Sequence, residues 1–257
     1  PLMQKNVEKA ASILRSENTP VFSPLSNRDL RMTPNLFQTI PTDAILEKTM
    51  LAYLKTNSHE KNIIIISDSK RNKQKQSILN VIPNAKTLSP RDGSIKNSDI
   101  TPLAIQGTEN WVVLESNDPV VVSSAVNALA SIPSNYKIRL FTLNKGSAYE
   151  WDEVSSSRLA RLNFTFPSVN RNVSEEERQP FLISYKEKYG VIPNRYAIRG
   201  FDITYDILLR LASKANMYEA ILPQNETIYI ENKFSYQKSD ADGYYNQAAY
   251  ILKYNKN

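Results

Sequence analysis

The stretch FLISYKEKYGVIPNRYAIRGFDITYDILLRLA, Phe181 to Ala212, decides how the rest of the chain is read. Phe181, Tyr185 and Tyr189 recur at helical spacing. Gly190 follows the charged run Lys186-Glu187-Lys188 and suits the left-handed residue that ends a helix. Pro193 forbids a simple continuation. Asp202 is placed to cap a second helix, with Ile203, Ile207, Leu208 and Leu211 on one apolar face. The segment therefore reads as helix, short connection, helix.

The surroundings fit an α/β protein. Val7 to Leu14 has helical periodicity, and Pro20 to Ser26 (PVFSPLS) reads as a buried strand running into a loop. Ile45 to Leu54 is a further helix. Asn62 to Ser67 (NIIIIS) is a continuous β-branched run, as expected of a central parallel strand covered on both faces. Gln74 to Ile82 is helical, Ala85 to Leu88 extended, and Asn110 to Ser116 (NWVVLES) a second buried strand. Asp118 and Pro119 start a helix over Val120 to Ile132. Lys137 to Leu143 (KIRLFTL) is a third core strand, and Leu162 to Val169 is extended. The end of the chain, TIYIENKFSYQ and then AAYILKY, reads as a strand pair after a turn at Asp242-Gly243. Alternating strands and helices imply parallel sheets with helices on both faces.

Composition narrows the function classes. The chain has 257 residues, 41% of them hydrophobic, enough for a sizeable core. No apolar run approaches the roughly 20 residues of a membrane span. The opening PLMQKNVEKAA lacks a basic region followed by an apolar one, and lacks an initiator Met, so it reads as a mature form or part of something longer. There is no cysteine, which removes disulfides, thiolate metal sites and Cys nucleophiles. The single histidine, His59, sits in the polar loop TNSHEKN, so no metal site is expected. The net charge is +6 and the pI about 9.3, but the dense basic run Ser69 to Gln76 has no interleaved aromatic, so nucleic acid is not the expected partner. The six glycines form neither a dinucleotide fingerprint nor a phosphate loop, and one histidine limits catalytic triads. No cofactor is expected, and the chain reads as non-enzymatic. Glu115/Asp118 and Asp240/Asp242 are read as a cap and a turn, and Glu175-Glu176-Glu177 as the first turn of a helix. The triplets starting at Asn163, Asn172 and Asn225 match the N-glycosylation pattern, for which chance suffices in so Asn-rich a chain.

The order "Phe, Tyr-Lys, Lys-Tyr-Gly, Pro, Tyr-Ala, Gly-Phe-Asp, Leu-Leu" along Phe181 to Leu209 resembles the return segment of type I periplasmic binding proteins, the leucine/isoleucine/valine-binding family. PLMQKNVEKAASIL resembles that fold's segment after the fourth strand, PVFSPLSN its next strand and ligand-facing loop, and NLFQTIP (Asn35 to Pro41) the phrase before the chain crosses over. The wording is closest to amino-acid-transporter-like envelope proteins of Bacteroidota that carry LysM modules, and the opening PLMQKNVE is similar to outer-membrane lipoproteins that activate peptidoglycan synthases. The resemblance implies two Rossmann-like lobes with parallel sheets: residues 1–41 and 167–257 in lobe 1, residues 42–166 in lobe 2. It also implies that lobe 1 is incomplete, with roughly 100 further residues expected ahead of Pro1.

In such a fold four segments would line an inter-lobe ligand site. They are Ser23, Ser26 and Asn27; Ser67 and Asp68; Glu115, Ser116 and Asn117; and Arg199, Phe201 and Asp202. Each also fits an ordinary turn or helix cap. Two departures stand against a free amino-acid site: Lys70, Arg71, Arg91 and Lys145 crowd the lobe 2 side, and Phe201 stands where the family has Tyr. The resemblance thus implies a periplasmic protein, or an outer-membrane lipoprotein, acting as an interaction or scaffold module in an outer-membrane, peptidoglycan-associated complex. Its partner would be an envelope protein or peptidoglycan. The alternatives are a solute-binding receptor for an amino acid, peptide or peptidoglycan fragment, and an activator of a peptidoglycan synthase.

Overall fold

The structure is a computed structural model; it describes residues 3–221, 226–240 and 242–255, without the side chain of Glu175. The chain divides into two compact units, Pro1–Ile45 with Val169–Tyr250, and Leu46–Ser168 with Ile251–Asn257.

The first unit opens with helix α1 (Gln4–Ile13) and strands β1 (Val21–Ser23) and β2 (Leu36–Gln38). Val7 and Ala11 of α1 are buried against Leu30 and Leu36. Helix α2 (Asp43–Asn57) leads into the second unit, whose elements follow in order: β3 (Asn62–Ser67), α3 (Asn72–Val81), β4 (Lys86–Leu88), α4 (Asn97–Ile100), β5 (Asn110–Glu115), α5 (Pro119–Ser131), β6 (Ile138–Phe141), α6 (Ser156–Arg161) and β7 (Thr165–Ser168). The chain then returns to the first unit with α7 (Glu175–Tyr189), α8 (Arg195–Ser213), α9 (Met217–Ala220), β8 (Thr227–Ile228), β9 (Lys233–Phe234), β10 (Tyr236–Lys238) and β11 (Tyr244–Asn246). It closes on β12 (Tyr250–Lys253).

The second unit carries a six-stranded sheet of order β12-β7-β6-β5-β3-β4. β4, β3, β5 and β6 are mutually parallel, with Ile63 opposite Trp111 and Trp111 opposite Arg139. Every residue of β3 and β5 is buried. Alternation divides their side chains between two cores. Ile64, Ile66, Val112 and Leu114 pack with Val122, Ala125 and Leu129 of α5. Ile63, Ile65, Trp111 and Val113 pack with Met50 and Leu54 of α2 and Ile78 of α3. Each such aliphatic side chain contributes about 1.5–3 kcal/mol on burial. The NIIIIS run is thus a two-faced central strand because helices cover both of its sides.

The first unit has a four-stranded sheet of order β1-β2-β11-β10. β1, β2 and β11 run parallel, but β10 and β11 form an antiparallel hairpin, so this sheet is mixed where the sequence implies a parallel one. Leu36 points to the α1 side, and Phe37 to the opposite core with Ile203 of α8 and Met217 of α9. Phe37 stacks on Phe22 at 4.8 Å and on Tyr244 at 4.4 Å. Two expectations change at the end of the chain. The turn at Asp242 joins β10 to β11, and β12 belongs to the edge of the other sheet, so of residues 167–257 the first unit holds 169–250, and 167, 168 and 251–257 fall in the second. Ile251 and Leu252 drive this: they pack on opposite faces of the second unit's sheet.

The segment Phe181 to Ala212 differs in part from its expected form. Gly190 ends α7 in the left-handed conformation at φ 72°, as expected. Helix α8, however, begins at Arg195 with Asn194 as its cap, its carboxamide oxygen accepting from Tyr196 and Ala197 N–H. Asp202 is inside the helix. Ile203 is buried, but Leu208 and Leu211 are exposed, and Asp202, Asp206 and Arg210 are turned inward.

Candidate functional site

In the second unit the chain leaves β3 toward β4 on one side and resumes at β5 on the other. Helices α3 and α5 consequently lie on opposite faces. That divergence opens a crevice outside the carboxyl ends of the strands, the general ligand position in open α/β sheets. A cleft of about 760 Å³ lies there. Asp68, Ser69, Lys70, Arg71 and Asn72 line it after β3, Ser89, Pro90 and Gly93 after β4, and Asn117 to Pro119 after β5.

Four expected residues meet beside this crevice. Ser67 and Glu115 are cross-strand partners. Ser116 donates its hydroxyl to Asp68 Oδ2 at 2.5 Å and accepts the Asp118 N–H. Asp68 also caps the short turn Ser69–Arg71, accepting the Lys70 N–H at 2.8 Å. Glu115 is fully buried. Its Oε1 accepts the Leu143 N–H at 2.6 Å and the Thr142 hydroxyl at 3.0 Å, and its Oε2 takes Arg71 Nη2 at 3.2 Å. Burial pushes the Glu115 carboxyl up to about 7, against the opposing pull of Leu143, Arg71 and Thr142. The Ser67 hydroxyl is buried with no hydrogen-bond partner among the described residues.

The Ser89, Pro90 and Gly93 wall was not singled out from the sequence. Asp92 and Gly93 both have positive φ, 49° and 70°, and join Arg91 to Ser94 in a two-residue turn. The Asp-Gly pair signals that turn, but only the position of β4 next to β3 brings it to the cleft. Lys145 is engaged elsewhere, 3.3 Å from Glu150 and over the rings of Phe166 and Tyr254.

In the first unit Ser23, Ser26 and Asn27 follow β1. Ser23 is buried and its carbonyl accepts the Thr39 hydroxyl at 2.8 Å, while its own hydroxyl lacks a partner among the described residues. Ser26 Oγ accepts the Arg28 N–H, and Asn27 donates to Asp43 at 3.2 Å. Arg199 and Asp202 converge on Asn232, but as structure. Asp202 accepts the backbone N–H groups of Ile230, Glu231 and Asn232 and the Asn232 carboxamide. Arg199 holds Asn170 at 2.8 Å and Asn232 at 3.4 Å, and burial, then the nearby Arg195 charge, lower its pKa. Phe201 does not join them; it packs on Phe181 at 4.6 Å and Tyr205 at 5.5 Å along an exposed aromatic stripe. His59 is exposed in the loop after α2, and no cluster of metal-ligating side chains occurs among the described residues. No helix among them is long and apolar enough to cross a membrane.

No family model and no curated protein matches the chain. Solved structures do. A branched-chain amino acid ABC transporter protein from Rhodospirillum rubrum superposes with a TM-score of 0.62 at 14% identity, over 98% of this chain and 75% of that one. An ABC transporter substrate-binding protein from Desulfitobacterium hafniense gives 0.52 at 15% identity, over 96% and 74%. A protein of that description and organism in complex with Leu gives 0.51 at 13%, also over 96% and 74%. At these identities the likeness speaks for fold alone, and the fold is the α/β architecture of the type I periplasmic binding proteins.

Proposed function

We propose that the protein is a non-enzymatic solute-binding receptor of the periplasm, with ligand contacts in the crevice at the ends of β3, β4 and β5. The observation that carries this reading is the roughly 760 Å³ cleft at the point where the strand order reverses, lined by side chains and turns from three successive strand ends. The names of the structural neighbours, substrate-binding proteins among them, support the class. The resemblance to peptidoglycan-associated envelope proteins makes short peptides and muropeptides candidate solutes beside amino acids.

A thermal-shift screen over those solutes tests the reading, because a ligand that binds only the native state raises the unfolding midpoint. A saturable hit should be lost in Asn117→Trp, which fills the cleft from an exposed position. A hit that survives this change would place the site elsewhere, and no hit at all would overturn the receptor reading.

One observation favours the scaffold alternative. Helix α8 exposes Phe201, Tyr205, Leu208, Leu209 and Leu211. An apolar stripe of this size suits a protein interface. Polar substitutions there that abolish a complex while sparing solute binding would support that role.

A further inference from the structure

Lys70 and Arg71 are the two cations lining the cleft. Lys70 is exposed, and no ion pair among the described residues engages it. The two carboxylates of the cleft accept local hydrogen bonds from neutral donors and form no ion pair among the described residues. Asp68 accepts from the Lys70 N–H and the Ser116 hydroxyl, and Asp118 from the Val120 N–H at 2.9 Å. Arg71 is shared differently. Its Nη2 reaches Glu115 at 3.2 Å, while its Nε has no partner among the described residues. Glu115 lies behind it at the end of β5, fully buried and tied to Thr142 and Leu143. The other titratable groups facing Glu115 are Glu47 of α2 and Tyr149 of the turn Ser147–Glu150.

We infer that the cleft takes the anionic group of its solute, a carboxylate, sulfate or phosphate, on Lys70 and Arg71, and that Glu115 competes with the solute for the Arg71 guanidinium. This rests on the solute-binding reading and names its ligand class. While Glu115 is ionised, it neutralises Arg71 and repels an incoming anion. Once protonated, it still accepts the Leu143 N–H, but its attraction for the guanidinium falls and the Arg71 charge is available to the solute. Anion binding is therefore coupled to uptake of a proton, and affinity rises as pH falls through neutrality. A lysine and an arginine also divide the work well: a mobile point charge beside a planar fork.

Calorimetric titration of the full chain with sulfate and with oxalate, dianions throughout pH 6 to 8, tests this. Both should bind, with affinity about three- to tenfold higher at pH 6 than at pH 8. Glu115→Gln keeps the acceptor for Leu143 and should bind tightly at both pH values. Lys70→Gln, at an exposed position that folding tolerates, should weaken both anions about three- to tenfold. Arg71→Gln should weaken them further and flatten the pH dependence. The inference is overturned by anion binding that Lys70→Gln and Arg71→Gln leave unchanged, or by a pH dependence that persists in Glu115→Gln. A neutral solute that Asn117→Trp excludes, with neither anion bound, also overturns it while leaving the receptor reading intact. If neither anions nor any screened solute bind, both readings fall.

Discussion

Asp202, in the middle of α8, accepts both the backbone N–H and the carboxamide of Asn232, thirty residues further on, at 3.0 and 2.8 Å. With the N–H groups of Ile230 and Glu231 it organises the whole 229–232 turn. Asp202→Ala should cost about 3 kcal/mol of stability, because buried donors lose a charged acceptor at once. Chemical denaturation measures this. A loss under about 1 kcal/mol would show that the turn satisfies itself without the carboxylate.

Glu115 should make stability fall with rising pH. Its folded-state pKa of about 7 lies above the ordinary 4.5, so between these values the native state holds more protons than the unfolded one. Stability is then highest below pH 4.5 as far as this group is concerned, and is lost as pH rises through 7. The shift corresponds to about 3 kcal/mol. Unfolding followed from pH 5 to 8 should show this slope in the wild type and not in Glu115→Gln. Parallel slopes in the two proteins would contradict the assignment.

Leu208 and Leu209 are exposed on α8 by 59% and 46%. Replacing both with Gln should change stability by less than about 1 kcal/mol, since surface changes away from packed groups are nearly neutral. Self-association at high concentration, read by light scattering, should fall. A large loss of stability would mean that these side chains are packed.

Gly243 sits where an added Cβ would collide with the Met32 side chain and lie 3.3 Å from the Leu36 carbonyl. Gly243→Ala should destabilise by about 1–3 kcal/mol through overpacking. Gly190→Ala meets no atom within 4 Å but must hold φ near 72°, and should cost about 1 kcal/mol for the backbone alone. Met32→Ala removes the nearest of these clashes and should lessen the loss from Gly243→Ala but not that from Gly190→Ala; denaturation showing the same Gly243→Ala loss with and without Met32→Ala would refute this distinction.

The parallel core of the second unit was legible because its signal is local and redundant: NIIIIS, NWVVLES and KIRLFTL are each rich in apolar residues, and a sheet covered on both faces buries the whole of the first two strands and the Leu140-Phe141 end of the third. The helix end at Gly190 was equally legible, since glycine fits the positive φ required there. What pattern could not supply was which residues meet. Asp202 after Gly-Phe looks like a helix cap, and only its burial against the 230–232 backbone reveals a structural acceptor. Leu208 and Leu211 share a face, as periodicity demands, but it is Asp206 and Arg210, paired at 2.9 Å and bonded to Thr227, that turn inward. Hydrophobic period specifies a helix and its stripe, not which stripe finds a neighbour. Likewise the sequence shows Lys70 and Arg71 as members of a basic run, whereas the juxtaposition of β3 and β5 places one of them against a buried glutamate 44 residues away. That pairing depends on strand order, a long-range choice that no local run of residues encodes.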